Sequence, residues 1–509
     1  MRLDRRSFIA CTAAALLQPV RAASPPRANP FTLGVASGYP TSASVVLWTR
    51  LAPEPLSPDG GMGLAPVEVR WEVAEDETFR RIAASGSVWA QCGEAHSVHV
   101  EPFGLQPARE YWYRFTLGDH RSPVGHTRTA TAPGVTLTSL RAAVVSCQHY
   151  EHAEYAAYRH LAASAPELVL HLGDYIYESS VQRPWGRSHV PTGECFTLAD
   201  YRLRYSQYKL DPSLQAAHAV APWMVMWDDH EVENDYAGTT GEDLDPREAF
   251  LLRRAAAYQA FYEHLPVPRR AVPFGPNARL TAQRTFGDLA SIVLLDGRQF
   301  RSPQACNPGG RGGATRTSGC AELTAPDRTM WGATQEAWLG LQLAESRARW
   351  NLIAQGTPMT WMDQEPGDGT QYWTDGWTGY PAARDRFITQ VRDTRVANPL
   401  VLSGDVHSFG WGQLRPKAGK SEGPVVVPEL ITTSISSNPV DQKVMDGWLA
   451  DSPELGQIDG TRRGYLELRI GATRIEARQM AVDDARNPAS SARVAKVLGI
   501  EVGSPKIGT

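Results

Sequence analysis

The sequence predicts an α/β protein, a layered α/β domain preceded by an all-β region. Three observations carry that expectation. Short β-branched and aromatic runs crowd the first 130 residues, apolar runs alternate with helical patterns after residue 138, and the stretch 131–138 separates the two textures. A chain of 509 residues has room for roughly two to four domains at about 100–200 residues each. Hydrophobic residues make 42% and charged residues 21%, which suits a folded chain and not a disordered one. A formal charge of −4 gives no global positive field, so nothing in the composition points to a nucleic-acid partner.

Residues 1–22 read as a removable leader. Arg5-Arg6-Ser7-Phe8 is followed by the apolar run 8–17 and then by Val20-Arg21-Ala22, a small-x-Ala cleavage pattern. The run is short against the roughly 20 residues of a membrane-spanning helix, so it is expected to be a signal and not an anchor. Its paired arginines resemble a twin-arginine export signal, with an ordinary secretion signal as the alternative. The expected partner is therefore the twin-arginine export machinery, and the expected location is periplasmic or secreted. No later stretch is apolar enough to span a bilayer. Cys11 leaves with the leader, and five of the six cysteines remain. An odd number means that one thiol is free, paired between chains, or used for something else.

In the first region, runs at 31–36, 44–51, 67–73, 97–101, 110–117 and 126–129 predict the strands of a β-sandwich over 30–130. Leu105-Gln106-Pro107-Ala108-Arg109-Glu110-Tyr111-Trp112-Tyr113 resembles the tyrosine corner of fibronectin type III and immunoglobulin-like sandwiches. Beyond 138, runs at 142–146, 168–172, 223–227, 292–295, 351–354 and 400–403 are of the kind buried on both faces. Helical patterns fall near 152–164, 198–208, 246–264, 335–347 and 382–393. A hairpin closes the domain at 465–470 and 474–480. The Ser/Pro/Gly-rich tail, 486–509, is expected to be loose or to wrap the surface.

In α/β folds ligands gather at the carboxyl ends of strands. Here those ends read Ser146-Cys147-Gln148, Gly173-Asp174-Tyr175-Ile176-Tyr177-Glu178, Asp228-Asp229-His230-Glu231, Asp296-Gly297-Arg298, Gln355-Gly356 and Gly404-Asp405-Val406-His407. One Gly-Asp ending makes an ordinary turn. Six polar endings in one domain point to a metal centre. Carboxylates favour hard cations, and imidazole, phenolate and thiolate suit iron. Paired ions can stabilise attacking and leaving oxygens in a displacement at phosphorus.

These motifs together resemble the PhoD family of secreted alkaline phosphatases over essentially the whole mature chain. That family is similar to purple acid phosphatases and other calcineurin-like metallophosphoesterases. The resemblance implies a two-sheet αββα sandwich over 138–485 and hydrolysis of phosphate monoesters, with diesters as further substrates. It implies a ferric ion with one or two calcium ions. The implied metal ligands are Cys147, Asp174, Tyr177, Asp229, Gln355, Asp405 and His407. Asp174 would bridge two ions, and Tyr177, Cys147 and His407 would take the iron. His230 is implied as the residue that binds phosphate or protonates the leaving group, and Arg298 as a bidentate phosphate contact. For Arg298 an ion pair with Asp296 is an equal alternative. Asp229 and Asp405 stand where related enzymes carry nitrogen ligands, which favours calcium at the second position. Cys147 is then the odd thiol. Cys306 and Cys320 flank the Gly-rich loop 307–319 and are read as a staple or as two thiols, while Cys92 and Cys195 are a second pair or free.

Other readings are a phosphodiesterase or phospholipase-D-like enzyme of the same fold, an iron redox enzyme, and an adhesive module built on the β-sandwich.

Overall fold

The computed structural model describes residues 26–508 apart from 183, 310 and 366. The expected leader, with Arg5, Arg6 and Cys11, lies outside the described residues. Two mixed sheets and seven α-helices among the described residues make an α/β protein.

The first sheet has ten strands. Ser139–Val145, Leu168–His171 and Pro222–Val225 run parallel at its centre. On one side Arg463–Gly471, Arg474–Val482 and Ala492–Glu501 continue it antiparallel. On the other, Val35–Gly38 pairs parallel with Pro222–Val225, and Val46–Arg50 and Ser97–Val100 follow antiparallel. The sheet thus runs across the change of texture near residue 131. The reason lies in strands with two dry faces. Leu47 packs with Val69, Val73 and Phe115 of a separate five-stranded sheet. Its neighbour Trp48 faces the other way, donating its indole N–H to the Glu263 carbonyl at 3.1 Å beneath the Lys209 ammonium. Each face needs its own cover. In the corner segment, Tyr111 Oη accepts the Gln106 N–H at 2.8 Å.

The second sheet has seven strands, with Ala290–Leu294, Trp350–Ala354, Pro399–Ser403 and Val427–Ile431 parallel at its centre. Alternation along these strands sets the layers. Leu294, Leu352, Leu400 and Leu402 enter one core with Val144, Leu170 and Leu468 of the first sheet. Val293, Ile353 and Val401 point into a different core, with Leu339, Leu343, Phe387 and Val391 of the helices Ala333–Glu345 and Pro381–Thr394. Tyr158, Tyr201, Tyr205, Leu214, Tyr258 and Phe261, from four further helices, join the core of the first sheet.

Helix starts follow local chemistry. Thr197 and Asp200 form a capping box at Leu198–Lys209. Asp211 caps Pro212–Val220, with the proline in the first turn where its missing N–H costs nothing.

The C-terminal tail departs from the sequence expectation. Ala492–Glu501 is a paired strand with Leu498 and Ile500 buried. The Ser/Pro/Gly residues that suggest looseness sit in the turns on either side of it. Cys306 and Cys320 form a disulfide, whereas Cys92 and Cys195 are separate thiols. None of the described helices is long and apolar enough to cross a membrane.

Candidate metal centre

Six parallel strands, three from each sheet, deliver the predicted endings. In the first sheet Cys147 follows Ser139–Val145, Asp174 and Tyr177 follow Leu168–His171, and Asp229 and His230 follow Pro222–Val225. In the second, Arg298, Gln355, and Asp405 with His407 follow Ala290–Leu294, Trp350–Ala354 and Pro399–Ser403.

Two triads share one residue. Cys147, Asp174 and His407 bring ligand atoms within 4.8 Å of one another, and so do Asp174, Asp229 and His230. Asp174 is therefore placed to serve two ions. Its Oδ2 accepts the Tyr177 hydroxyl at 2.9 Å, and that hydroxyl lies 3.1 Å from His407 Nε2. Ser437 donates to the Tyr177 oxygen at 2.8 Å and lies 2.9 Å from the Cys147 carbonyl.

The backbone is strained where these side chains turn inward. Cys147, Asp174, Asp405 and His407 have φ of 58°, 58°, 64° and 53°. Left-handed backbone at non-glycine residues costs on the order of 1–3 kcal/mol each and gathers at functional sites. Two glycines make room for Asp228. A Cβ on Gly173 would lie 2.4 Å from the Asp228 Cβ, and one on Gly356 would lie 2.7 Å from its Oδ1.

The residues fit metal ions. Asp174 Oδ1 and Asp229 Oδ1 are buried without a hydrogen-bond partner, an arrangement a cation would relieve. Burial, helped by Asp174, pushes the Cys147 thiol and the Tyr177 hydroxyl well above their ordinary values. Burial likewise raises Asp174 and Asp405, the latter beside Asp228 and Asp229. Burial also works against a charged His230, but Glu178, Asp229 and Asp174 outweigh it and raise that ring's pKa well above the usual histidine value. The Glu178 carboxylate accepts from His230 Nδ1 at 2.8 Å, which leaves Nε2 as the second donor.

Two predicted roles do not match the placement. Arg298 is fully buried, with Nε 2.6 Å from Asp228 Oδ1, Nη2 3.1 Å from Asp228 Oδ2, and Nη1 2.9 Å from Asp375 Oδ1. Its guanidinium is occupied by protein carboxylates and not free for a phosphate. Nor is Asp296 its ion-pair partner, since that side chain accepts backbone N–H groups of Arg298 and Gln299. Gln355 donates to the Thr357 carbonyl and accepts the Trp377 indole N–H at 3.2 Å. Its amide is buried and engaged by these protein groups.

Supporting residues stand behind these side chains: Glu231 is among those the sequence offers as outer support, and Glu178, Asp375 and Ser437 are ones it missed. Glu231 accepts the N–H groups of Asp174, Tyr175 and Asp228 at 3.2, 2.6 and 2.7 Å, tying two loops together. Glu178 and Glu231 sit inside the quoted motifs, where spacing from the ligands was the available signal. Asp375 and Ser437 lie in loops with no strand-end pattern to mark them. A third group, His149, Glu151 and His189, also clusters. It is already hydrogen-bonded: the Glu151 oxygens accept Val181 and His189 N–H groups at 2.6 and 2.7 Å, and His189 Nε2 meets the Tyr208 hydroxyl at 2.9 Å.

Asp405 and His407 open into a cleft of about 460 Å³ whose walls include Trp373, Trp377, Trp448 and Arg316. Of the tryptophans in loops near the motifs, Trp373 and Trp377 line it. Trp185 instead stacks under Arg486, and Trp411 packs against the first core.

Comparisons with known proteins show the family. Residues 142–479 match the profile of the PhoD-like phosphatase family, and residues 16–131 that of its N-terminal domain. Alkaline phosphatase D of Bacillus subtilis (strain 168) is 44% identical over 448 residues, 87% of this chain and 76% of that one. A solved structure of PhoD superposes with a TM-score of 0.90 at 41% identity, covering 96% of this chain and 93% of the other. The chain belongs to the PhoD-like phosphatase family and is a metal-dependent phosphoric ester hydrolase.

Proposed function

We propose that this protein is an exported alkaline phosphatase that hydrolyses phosphate monoesters, and diesters as well, at a centre of one ferric ion and one or two calcium ions. The observation that carries the reading is Asp174, shared by a Cys/Asp/His triad and an Asp/Asp/His triad. Cys147, Tyr177 and His407 are soft or nitrogen donors suited to iron, and Asp229 and Asp405 are hard oxygen donors suited to calcium. Bound there, the ions would supply Lewis-acid neutralisation of phosphoryl oxygens and would lower the pKa of water.

The chain's own residues do the rest. His230, charged and held by Glu178 through Nδ1, is arranged to give a proton to the departing alkoxide. Arg298 pairs with Asp228 and Asp375 and fixes both behind the site. Tryptophan walls exclude water from the organic part of the ester. The arginine pair in 1–22 supports export to the periplasm or beyond.

Elemental analysis of purified protein, with phosphate release from a monoester and a diester before and after calcium chelation, tests the reading. Iron and calcium in the protein and loss of both activities on chelation are expected. Full activity after chelation, or protein without iron, would overturn it.

A further inference from the structure

We infer that Arg316 is a specificity residue, recognising a second negative group on the substrate several bonds from the ester phosphate. The inference rests on the hydrolase reading of the same cleft. It begins with the Gly-rich loop 307–319, which the metal centre does not use. The Cys306–Cys320 disulfide closes that loop. Its middle is docked on the metal site, because the Ala314 N–H donates to Asp235 Oδ2 at 3.1 Å and the Asp235 N–H donates to Asp229 Oδ2 at 2.8 Å. Thr315 exchanges two hydrogen bonds with Thr374, at 2.8 and 3.1 Å. Arg316 then pairs in strand register with Trp373. A chain of short contacts therefore fixes Arg316 relative to Asp229.

Arg316 lines the cleft that Asp405 and His407 also line, and it is the one permanent cation among the described residues there. Its loop neighbour Arg311 is paired with Glu242. Arg316 is exposed and has no ion-pair partner among the described residues. The cleft that the metal ligands and this guanidinium share has largely apolar walls, with Trp373, Trp377, Trp448 and Met362. A ligand that fills such a cleft has a phosphate at the ligand carboxylates, a carbon skeleton along the indoles, and a further phosphate or carboxylate against the guanidinium fork. Substrates of that class are phosphate esters whose alcohol carries another anion.

The test uses the mature, metal-loaded protein with 1,4-butanediol monophosphate and 1,4-butanediol bisphosphate, which carry a hydroxyl and a second phosphate at the far end, with rates taken per cleavable ester. Initial phosphate release gives kcat/KM for each. The wild type is expected to prefer the bisphosphate. Arg316→Gln should lower kcat/KM for the bisphosphate about tenfold more than for the monophosphate, mostly through KM, as the loss of one hydrogen bond to a charged group implies. Arg316→Lys should keep part of the preference, and salt should shrink it because the group is exposed. Equal losses on both esters in a variant with an unchanged unfolding midpoint would overturn the inference, and so would a wild type that does not discriminate. If the wild type cleaves neither ester, the monoesterase reading falls and takes the inference with it.

Discussion

Arg298 holds Asp228 through two hydrogen bonds, 2.6 Å from Nε and 3.1 Å from Nη2, with both side chains buried. Asp375 meets the same guanidinium at 2.9 Å. One guanidinium thus ties two carboxylates together behind the candidate ligands, and Asp375 also meets Arg301 at 2.7 Å. Arg298→Met would leave Asp228 without its partner, while Asp375 would keep Arg301. Breaking a buried pair from one side costs about 3–5 kcal/mol, so a loss of that order in chemical denaturation is expected, together with reduced calcium content. If the variant kept its stability and lost only kcat/KM, a direct phosphate contact would be the better account.

Cys147 and Tyr177 must each lose a proton to bind a metal, and burial keeps both protonated in its absence. Iron affinity should therefore rise with pH, by about tenfold per unit for each proton released. Competition with a chelator, corrected for the chelator's own protonation, measures the slope between pH 6 and 8. A flat profile would remove these two residues from the ligand set. Cys147→Ala should lower iron content several-fold and leave calcium in place.

Acid should destabilise the fold through buried neutral histidines. Burial pushes His99 down to about 4, with its ring stacked on Tyr262 at 4.3 Å and Nε2 donating to the Leu265 carbonyl at 3.0 Å. The unfolded value is about 6.5. A lowered folded value means full stabilisation above about pH 6.5 and loss as pH falls toward 4, about 3 kcal/mol at the limit. The same holds for His171, which burial takes to about 3. Thermal midpoints across pH 4–7 should show the decline, and His99→Gln should flatten it. An unchanged slope in that variant would acquit His99.

The Cys306–Cys320 link closes a separation of 14 residues. Closing a loop of that size stabilises by about 3 kcal/mol. Cys306→Ser should lower the unfolding midpoint while iron and calcium contents stay at wild-type levels. Loss of metal together with stability would mean that the loop builds the centre itself and does not only wall the cleft.

The sequence by itself marked the strand-end residues. Ligands at turns must follow directly after buried strands, so a run such as Leu168–His171 and the Asp174 and Tyr177 after it are written side by side. The α/β alternation was legible for the same reason, since strands buried on both faces are continuous apolar runs. Two strands of the second sheet were not. Phe409–Leu414 carries two glycines and Val427–Ile431 a buried Glu429, whose partners Thr360 and Ser403, at 2.6 and 2.8 Å, come from elsewhere in the chain. Partner choice was also out of reach, because a guanidinium and its carboxylates are matched only when loops meet. Asp296 lies two residues from Arg298, yet Asp228 and Asp375, 70 and 77 residues away, hold it. Local spacing determined which residues line the rim; the packing of two sheets decided which of them cluster as candidate metal ligands, which hold another residue in place, and which face the cleft.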